Sequence, residues 1–241
     1  MISKLNRKLS AQGFTIVELM IATSILAIIL LMATVIMINV GDIYYKGVSE
    51  ARAQDTVRSI ADDVAQNLQL ADQAPMFCPV STCPTNSTNP TSPDAICIGE
   101  TRYTYVMYDE IGVQSQSQYH VLWRDQAPSG TCTPVPGFNT SNLAASDPSG
   151  LELMTSSGRL TSFSVSLTSP YTVNVGIAYG SDSLLCVNGG SATNDCNNNA
   201  SSTQLHPPPP NSQILCKGHA SQQFCATANL SVTVSQRLTD D

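Results

Sequence analysis

The fold of the chain is decided by an apolar run without a charged residue, LMIATSILAIILLMATVIMI, at residues 19–38. As a helix, these twenty residues span about 30 Å, which matches the hydrocarbon core of a bilayer. A secretory signal has a shorter apolar core and a small-residue cleavage site, whereas this run continues into NVGDIYY. The run therefore predicts a membrane-spanning helix rather than an ordinary cleaved signal peptide.

A basic leader precedes the run. Residues 1–13, MISKLNRKLSAQG, contain Lys4, Arg7 and Lys8 and no acidic residue. Segments rich in Lys and Arg beside a membrane helix stay on the cytoplasmic side. We therefore expect the leader in the cytoplasm and the chain beyond about Asp42 on the outer side of the membrane.

The junction between leader and run has the sequence GFTIVEL, residues 13–19, in which Gly13 and Phe14 are followed by Glu18. This order of glycine, aromatic residue, glutamate and apolar run closely resembles the processing motif of type IV prepilins and type II secretion pseudopilins. The resemblance implies that a prepilin peptidase/methyltransferase cuts after Gly13 and methylates the new amine of Phe14. It also implies that Glu18 neutralises the Phe14 amine of a neighbouring subunit, which sets the register because an unpaired buried charge is costly.

A plain signal anchor is the other interpretation of this segment, because it fits the hydropathy as well. A carboxylate at the bilayer centre costs on the order of 2.5 to 3.5 kcal/mol. Under that interpretation Glu18 is solvated at the level of the lipid headgroups and has no role in assembly.

The helix is expected to continue beyond the membrane. Apolar residues recur at spacings of three and four, which is typical of a helix with one buried face. They are Val57, Ile60, Ala61, Val64, Leu68 and Ala71. Pro75 ends the pattern, so the helix is predicted to reach about Ala74.

The remaining sequence is rich in Ser, Thr and Asn and contains short alternating windows that predict strands. Residues 102–108 and 118–124 form a predicted hairpin around Gly112. Residues 151–155 and 160–167 are further candidates with Gly158 as their turn. The remaining candidate strands lie at residues 171–179 and 230–234, whereas residues 78–93 and 187–210 are expected to be surface loops. We predict an α+β, type IV pilin-like fold with an antiparallel sheet packed on the second half of the helix.

All eight cysteines lie in the part of the chain predicted to be exported: Cys78, Cys83, Cys97, Cys132, Cys186, Cys196, Cys216 and Cys225. Disulfides persist outside the cytoplasm, so these residues predict four of them, although eight cysteines allow 105 pairings. Proximity in the sequence favours pairing each cysteine with the next along the chain, beginning with Cys78 and Cys83.

Metal sites have only weak candidates, and no cofactor is expected. Cys216, His219 and Cys225 lie within ten residues, but the chain has no paired C-x-x-C, so zinc is a poor match. A loop near Asp182 or Asp195 is an alternative for calcium, although no D-x-D-x-D-G pattern occurs.

An enzyme is not expected, because no G-x-S-x-G, Walker A or H-E-x-x-H sequence occurs. Adjacent acidic residues, such as Asp62 with Asp63 and Asp109 with Glu110, are expected to be solvated. The formal charge of −7 and the scattered Lys and Arg residues argue against nucleic acid as a partner.

These observations predict four parts: a cleaved cytoplasmic leader (1–13), a transmembrane and filament-core helix (14–40), its amphipathic continuation (41–74) and an exported β-rich head (75–241). The resemblance implies a structural subunit of a type IV pilus or related filament. Its implied partners are the prepilin peptidase/methyltransferase, other pilin subunits and, before assembly, inner-membrane lipid. The implied location is the inner membrane, with a cytoplasmic N-terminus and a periplasmic or extracellular head, and then the filament.

Most major pilins are shorter and have fewer cysteines, so a minor subunit is predicted. Residues 51–70 resemble the W-type minor subunits of type IV pili and the J-type subunits of type II secretion. Two alternatives stay open: a pseudopilin of a type II secretion system, and a membrane-anchored exported adhesion or binding module that joins no filament.

Overall fold

The computed structural model describes residues 13–78, 93–111, 120–126, 132–188, 196, 213–217 and 222–236. The chain divides into two compact units, residues 1–43 and 44–241. One long helix, α1, is followed by antiparallel sheets and three disulfides, which is the predicted α+β, pilin-like fold. The elements are α1 Ile16–Leu70, β1 Met76–Phe77, β2 Asp94–Ile98, β3 Thr101–Tyr105, β4 Leu122–Gln126, α2 Leu143–Ser146, β5 Leu151–Glu152, β6 Gly158–Val165, β7 Tyr171–Tyr179, β8 Leu185–Asn188, β9 Gln213–Cys216 and β10 Ala226–Val234.

The first unit contains the apolar part of α1. Every residue from 13 to 40 is exposed. The helix is long and apolar enough to cross a membrane. It begins at Ile16, two residues after the predicted start.

In the second unit, the predicted apolar face of α1 is the buried face. Val57, Ile60, Val64 and Leu68 lie in one core cluster with residues of both larger sheets. The helix ends at Leu70, before the predicted end at Ala74. Pro75 has no N–H to donate to the Ala71 carbonyl, and Gln236 Nε2 donates to that carbonyl instead.

The first sheet has five strands in the order β1-β2-β3-β4-β5. The hairpin of β3 and β4 is confirmed, with Tyr105 opposite Leu122. Strand β3 ends three residues earlier than predicted, and Tyr108 adopts a φ of 70°. That left-handed conformation is incompatible with a continuing strand. Strand β2 was not predicted.

The second sheet has the order β10-β7-β6 and contains the two alternating segments predicted at residues 171–179 and 230–234. The predicted turn lies between the two segments, where the Gly158 N–H donates to the Thr155 carbonyl at 3.1 Å, but Gly158 is its last residue rather than its centre. Gly158 begins β6, which pairs with β7, while β5 pairs with β4. Ser157 takes the left-handed position with a φ of 63°. A Cβ on Gly158 would lie 3.0 Å from the Thr155 carbonyl oxygen and 3.1 Å from a ring carbon of Tyr179, so a side chain would be crowded at this position.

The third sheet pairs β8 with β9. Val187 and Asn188 belong to β8, which corrects the predicted start of the second loop. The rest of that loop, except Cys196, and residues 79–92 of the first loop lie outside the described residues.

Candidate processing and assembly segment

Gly13, Phe14 and Thr15 precede the helix and are exposed. A Cβ built on Gly13 would meet no atom within 4 Å. Packing in the folded chain therefore does not explain a glycine at this position. The predicted cleavage site is an accessible, non-helical segment next to the first helical turn.

Glu18 lies in the first turn and forms a capping box with Thr15, which the sequence analysis missed. The Glu18 N–H donates to Thr15 Oγ1 at 3.3 Å. The Thr15 N–H and the Thr15 hydroxyl both donate to Glu18 Oε2 at 2.9 Å. The T-x-x-E spacing of these residues is a known signal for a helix start, and it explains why α1 begins at Ile16.

The apolar side chains of this part of α1 form an uncovered surface. Its large side chains are at least half exposed, including Phe14, Ile21, Leu31 and Ile38. A soluble monomer rarely exposes so large an apolar area, so lipid or other subunits must cover it.

Residues 8–34 match the family model described as the prokaryotic N-terminal methylation motif. The match supports the prepilin-type family. No curated protein and no solved structure was found to match the chain. The motif implies processing by prepilin peptidase and assembly with other pilins, in a family that is structural rather than catalytic. With the apolar helix, it indicates a membrane-anchored, pilin-like or pseudopilin-like subunit with an exported head.

Three disulfides join cysteines that are neighbours in the sequence, as expected. They link Cys97 with Cys132, Cys186 with Cys196, and Cys216 with Cys225. Cys78 is also disulfide-bonded, but the prediction that pairs it with Cys83 falls on a residue outside the described part of the chain. Two of these bonds lie at the smallest sheet, because Cys186 is on β8 and Cys216 is on β9.

The disulfides also argue against a zinc site at Cys216 and Cys225. Cys216 and Cys225 are oxidised together, so neither is available as a thiolate ligand, and His219 lies outside the described residues. For calcium, Asp182 Oδ1 lies 2.7 Å from Arg159 Nη2 and is thus already paired with a cation. Asp195 lies outside the described residues.

Two acidic pairs are not simply solvated, which corrects the sequence analysis. Asp109 is buried, and Glu110 Oε2 lies 3.2 Å from Arg159 Nη2. Arg159 is 0% exposed and also donates to the carbonyls of Tyr108 and Gly180. This cluster connects β6 to the segment after β3 and to the loop after β7.

The other acidic pair contributes Asp63 to the contact between α1 and the first sheet. Tyr103 donates to Asp63 at 2.7 Å and accepts from Asn67 Nδ2 at 2.7 Å. Arg124 also pairs with Asp63. Burial raises the pKa of the Tyr103 hydroxyl, and the negative charge of Asp63 adds to this effect.

A buried ion pair joins β3 to β4 at Arg102 and Asp125. Burial raises the pKa of Asp125. The hydrogen bond from Arg102 lowers this pKa in part, and the negative charge of nearby Asp147 raises it further. Burial alone would raise the pKa of Asp147, but hydrogen bonds from Ser149 and Trp123 outweigh this effect and lower the pKa.

Proposed function

We propose that the chain is a structural subunit, a minor pilin, of a type IV pilus or a related filament. It is processed after Gly13 and N-methylated at Phe14. The observation that carries the proposal is the exposed, non-helical segment of residues 13–15 directly before an uncovered apolar helix with Glu18 in its first turn. The family motif over residues 8–34 supports the same assignment.

The environment of Gly13 supports cleavage at this position. Open space around its Cβ position means that the fold accepts a side chain there. A peptidase cleft that takes an extended backbone would account for a glycine at this position, because glycine has no side chain to accommodate in the cleft.

The position of Glu18 supports a role in assembly. Cleavage leaves the cationic amine of Phe14 two residues before the helix start, at the positive end of the helix dipole, where a cation is unfavourable. A carboxylate in the first turn offsets that charge. Both bonds from Thr15 end on Oε2, which leaves Oε1 to accept from the amine of a neighbouring subunit.

The cleavage proposal is tested by the mass and N-terminal sequence of the mature chain in its native host. We expect the chain to begin at Phe14 and to carry a methyl group on its amine. Gly13→Leu should accumulate the uncleaved form in the membrane. Gly41→Ala is the matched control, because Gly41 also has open space at its Cβ position but lies outside the motif. Normal cleavage of Gly13→Leu would contradict the proposal.

The role of Glu18 is tested by two variants that separate charge from capping. Glu18→Gln keeps an oxygen that can accept from Thr15 but removes the charge. Thr15→Val removes the hydroxyl bonds but keeps the charge, at a cost of about 0.5 to 2 kcal/mol to the helix start. We expect Glu18→Gln, like Glu18→Ala, to insert into the membrane but to be depleted from sheared filaments. Equal incorporation of Glu18→Gln and the unmodified chain would refute the pairing.

The alternative of an anchored binding module is favoured by one observation. A groove of about 700 Å³ beside α1 is rich in hydroxyl groups, including those of Thr56, Ser156 and Tyr179, and also contains Arg52 and Glu110. Immunogold labelling of sheared filaments separates the two functions, since an anchored module stays in the membrane. A pseudopilin of a secretion system is separated by whether its deletion abolishes protein secretion rather than surface pili.

A further inference from the structure

Three aromatic side chains form an exposed cluster at the start of the second unit. The ring centroids of Tyr44 and Tyr45 lie 5.9 Å apart, and those of Tyr45 and Phe224 also lie 5.9 Å apart. Each side chain is more than half exposed, with Phe224 at 54%. The cluster joins two neighbouring residues of α1 to a residue far along the chain.

Phe224 is held in this cluster by several contacts. It ends a short 3-10 helix, Gln222–Phe224, and the next residue, Cys225, is linked to Cys216. Ser49 Oγ donates to the Gln223 carbonyl at 3.0 Å. Ser49 follows Tyr45 by one helical turn, so both contacts with the 3-10 helix come from the same face of α1. The position of Phe224 against α1 is thus fixed rather than incidental.

The position of the cluster in the chain favours a lipid surface as its occupant. Tyr44 and Tyr45 follow the last residue of the apolar run, Ile38, by six and seven residues, which is about 10 Å of helix. Side chains on a helix lean toward its N-terminus, so these rings lean back toward the membrane. Tyrosine is enriched at membrane interfaces, because its ring is apolar and its hydroxyl is polar.

We propose that Phe224, together with Tyr44 and Tyr45, contacts the lipid headgroups on the outer face of the inner membrane before the subunit is assembled. The inference rests on the membrane-inserted state that precedes assembly in the proposed function. It assigns the cluster to lipid because Tyr44 and Tyr45 lie only six and seven residues after the end of the membrane-spanning run. Phe224 adds a lipid contact from the 3-10 helix to the contacts made by the two tyrosines of α1.

The test uses tryptophan as a depth probe in the full chain. The chain is reconstituted into vesicles of phosphatidylcholine and phosphatidylglycerol that carry a nitroxide quencher either at the headgroup or near the end of an acyl chain. Flotation selects vesicles with inserted protein. The variants are Phe224→Trp, Tyr45→Trp and Leu167→Trp, and the unmodified chain supplies the background of the buried Trp123.

Leu167 is a matched control because it is also exposed but lies at the opposite end of the three-stranded sheet. Ala226 and Gly158 pair with Tyr179 at the end near Phe224, whereas Val165 pairs with Val173 near the other end. Tyr179 and Val173 are six positions apart, which corresponds to about 20 Å of strand.

We expect Phe224→Trp and Tyr45→Trp to lose emission to the headgroup quencher more than to the acyl-chain quencher, and Leu167→Trp to match the background. Quenching of Tyr45→Trp without quenching of Phe224→Trp would overturn the proposal, because residue 224 would then make no contact with the headgroup layer. Absence of quenching at both positions would also overturn it and would assign the cluster to contact with another protein. These measurements depend neither on cleavage nor on filament incorporation. A failure of this proposal is therefore distinguishable from a failure of the proposed function.

Discussion

Arg159→Met is expected to destabilise the head more than the loss of an exposed charge on its surface. Arg159 is 0% exposed and contacts Glu110, Asp182 and two backbone carbonyls. Methionine fills a similar volume but leaves two carboxylates and two carbonyls without their cationic partner. The variant therefore tests whether this cluster connects three separate segments of the head.

The magnitude follows from the burial of the partners. Removing one member of a buried ion pair costs about 3 to 5 kcal/mol, since the remaining charge is uncompensated. The side chains of Glu110 and Asp182 are 15% and 32% exposed, so water partly replaces the lost cation. We expect a loss of about 3 kcal/mol, which lowers the urea midpoint by about 1 to 1.5 M for a typical slope.

The assay is urea unfolding of the full chain in detergent micelles, followed by the fluorescence of Trp123. This is the only tryptophan in the sequence and it is buried in the head. Arg58→Met is the matched control, because Arg58 is exposed on α1 and should change the free energy of unfolding by less than about 0.5 kcal/mol. A midpoint for Arg159→Met equal to that of Arg58→Met would refute the reasoning.

Two further predictions concern the first sheet. The double variant Cys97→Ala with Cys132→Ala opens a loop with a sequence separation of 35, and we expect it to lower the free energy of unfolding by about 3 to 4 kcal/mol; an unchanged urea midpoint would contradict this. The pKa of Asp125 is raised, so its carboxyl group should titrate above the ordinary value of 3.8 in NMR spectra. Its contribution to the free energy of unfolding is therefore complete below pH 3.8 and declines as the pH rises through the pKa of the folded state. Asp147→Asn removes a neighbouring negative charge and should lower the titration midpoint of Asp125, and an unchanged midpoint would show that the two carboxyls do not interact.

The sequence predicted features that depend on residues close together in the chain. The buried face of α1 was predictable because helical spacing brings Val57, Ile60 and Val64 to one side. The three disulfides were predicted by a different rule, in which each cysteine pairs with the next cysteine along the chain. Strands β7 and β10 were predictable because their side chains alternate between apolar and polar over several residues.

Other features were missed although the sequence contains a signal for them. Thr15 and Glu18 have the spacing of a capping box, which the interpretation of Glu18 as an assembly residue overlooked. Strand β2 is connected to β3 by Gly99 and Glu100, and Gly99 has a φ of 58°. A glycine at the first position of a two-residue connection is typical of a hairpin turn.

The buried charges could not be predicted from local pattern. Arg102 and Asp125 are 23 residues apart, and Arg159 finds Glu110 across 49 residues. A charged residue in a strand normally predicts an exposed face, so burial of these arginines becomes evident only when the strands are placed together. The same long-range pairing brings Phe224 to Tyr45.

The connectivity of the three disulfides has a consequence for export. Each joins two cysteines with no other cysteine between them in the sequence. In the proposed topology the leader stays in the cytoplasm and the head emerges beginning with the residues next to the helix, so the members of each pair are exported one after the other. An oxidase that joins cysteines in their order of arrival therefore produces the native bonds without an isomerase, and the head can be oxidised correctly while its last strand is still being translocated.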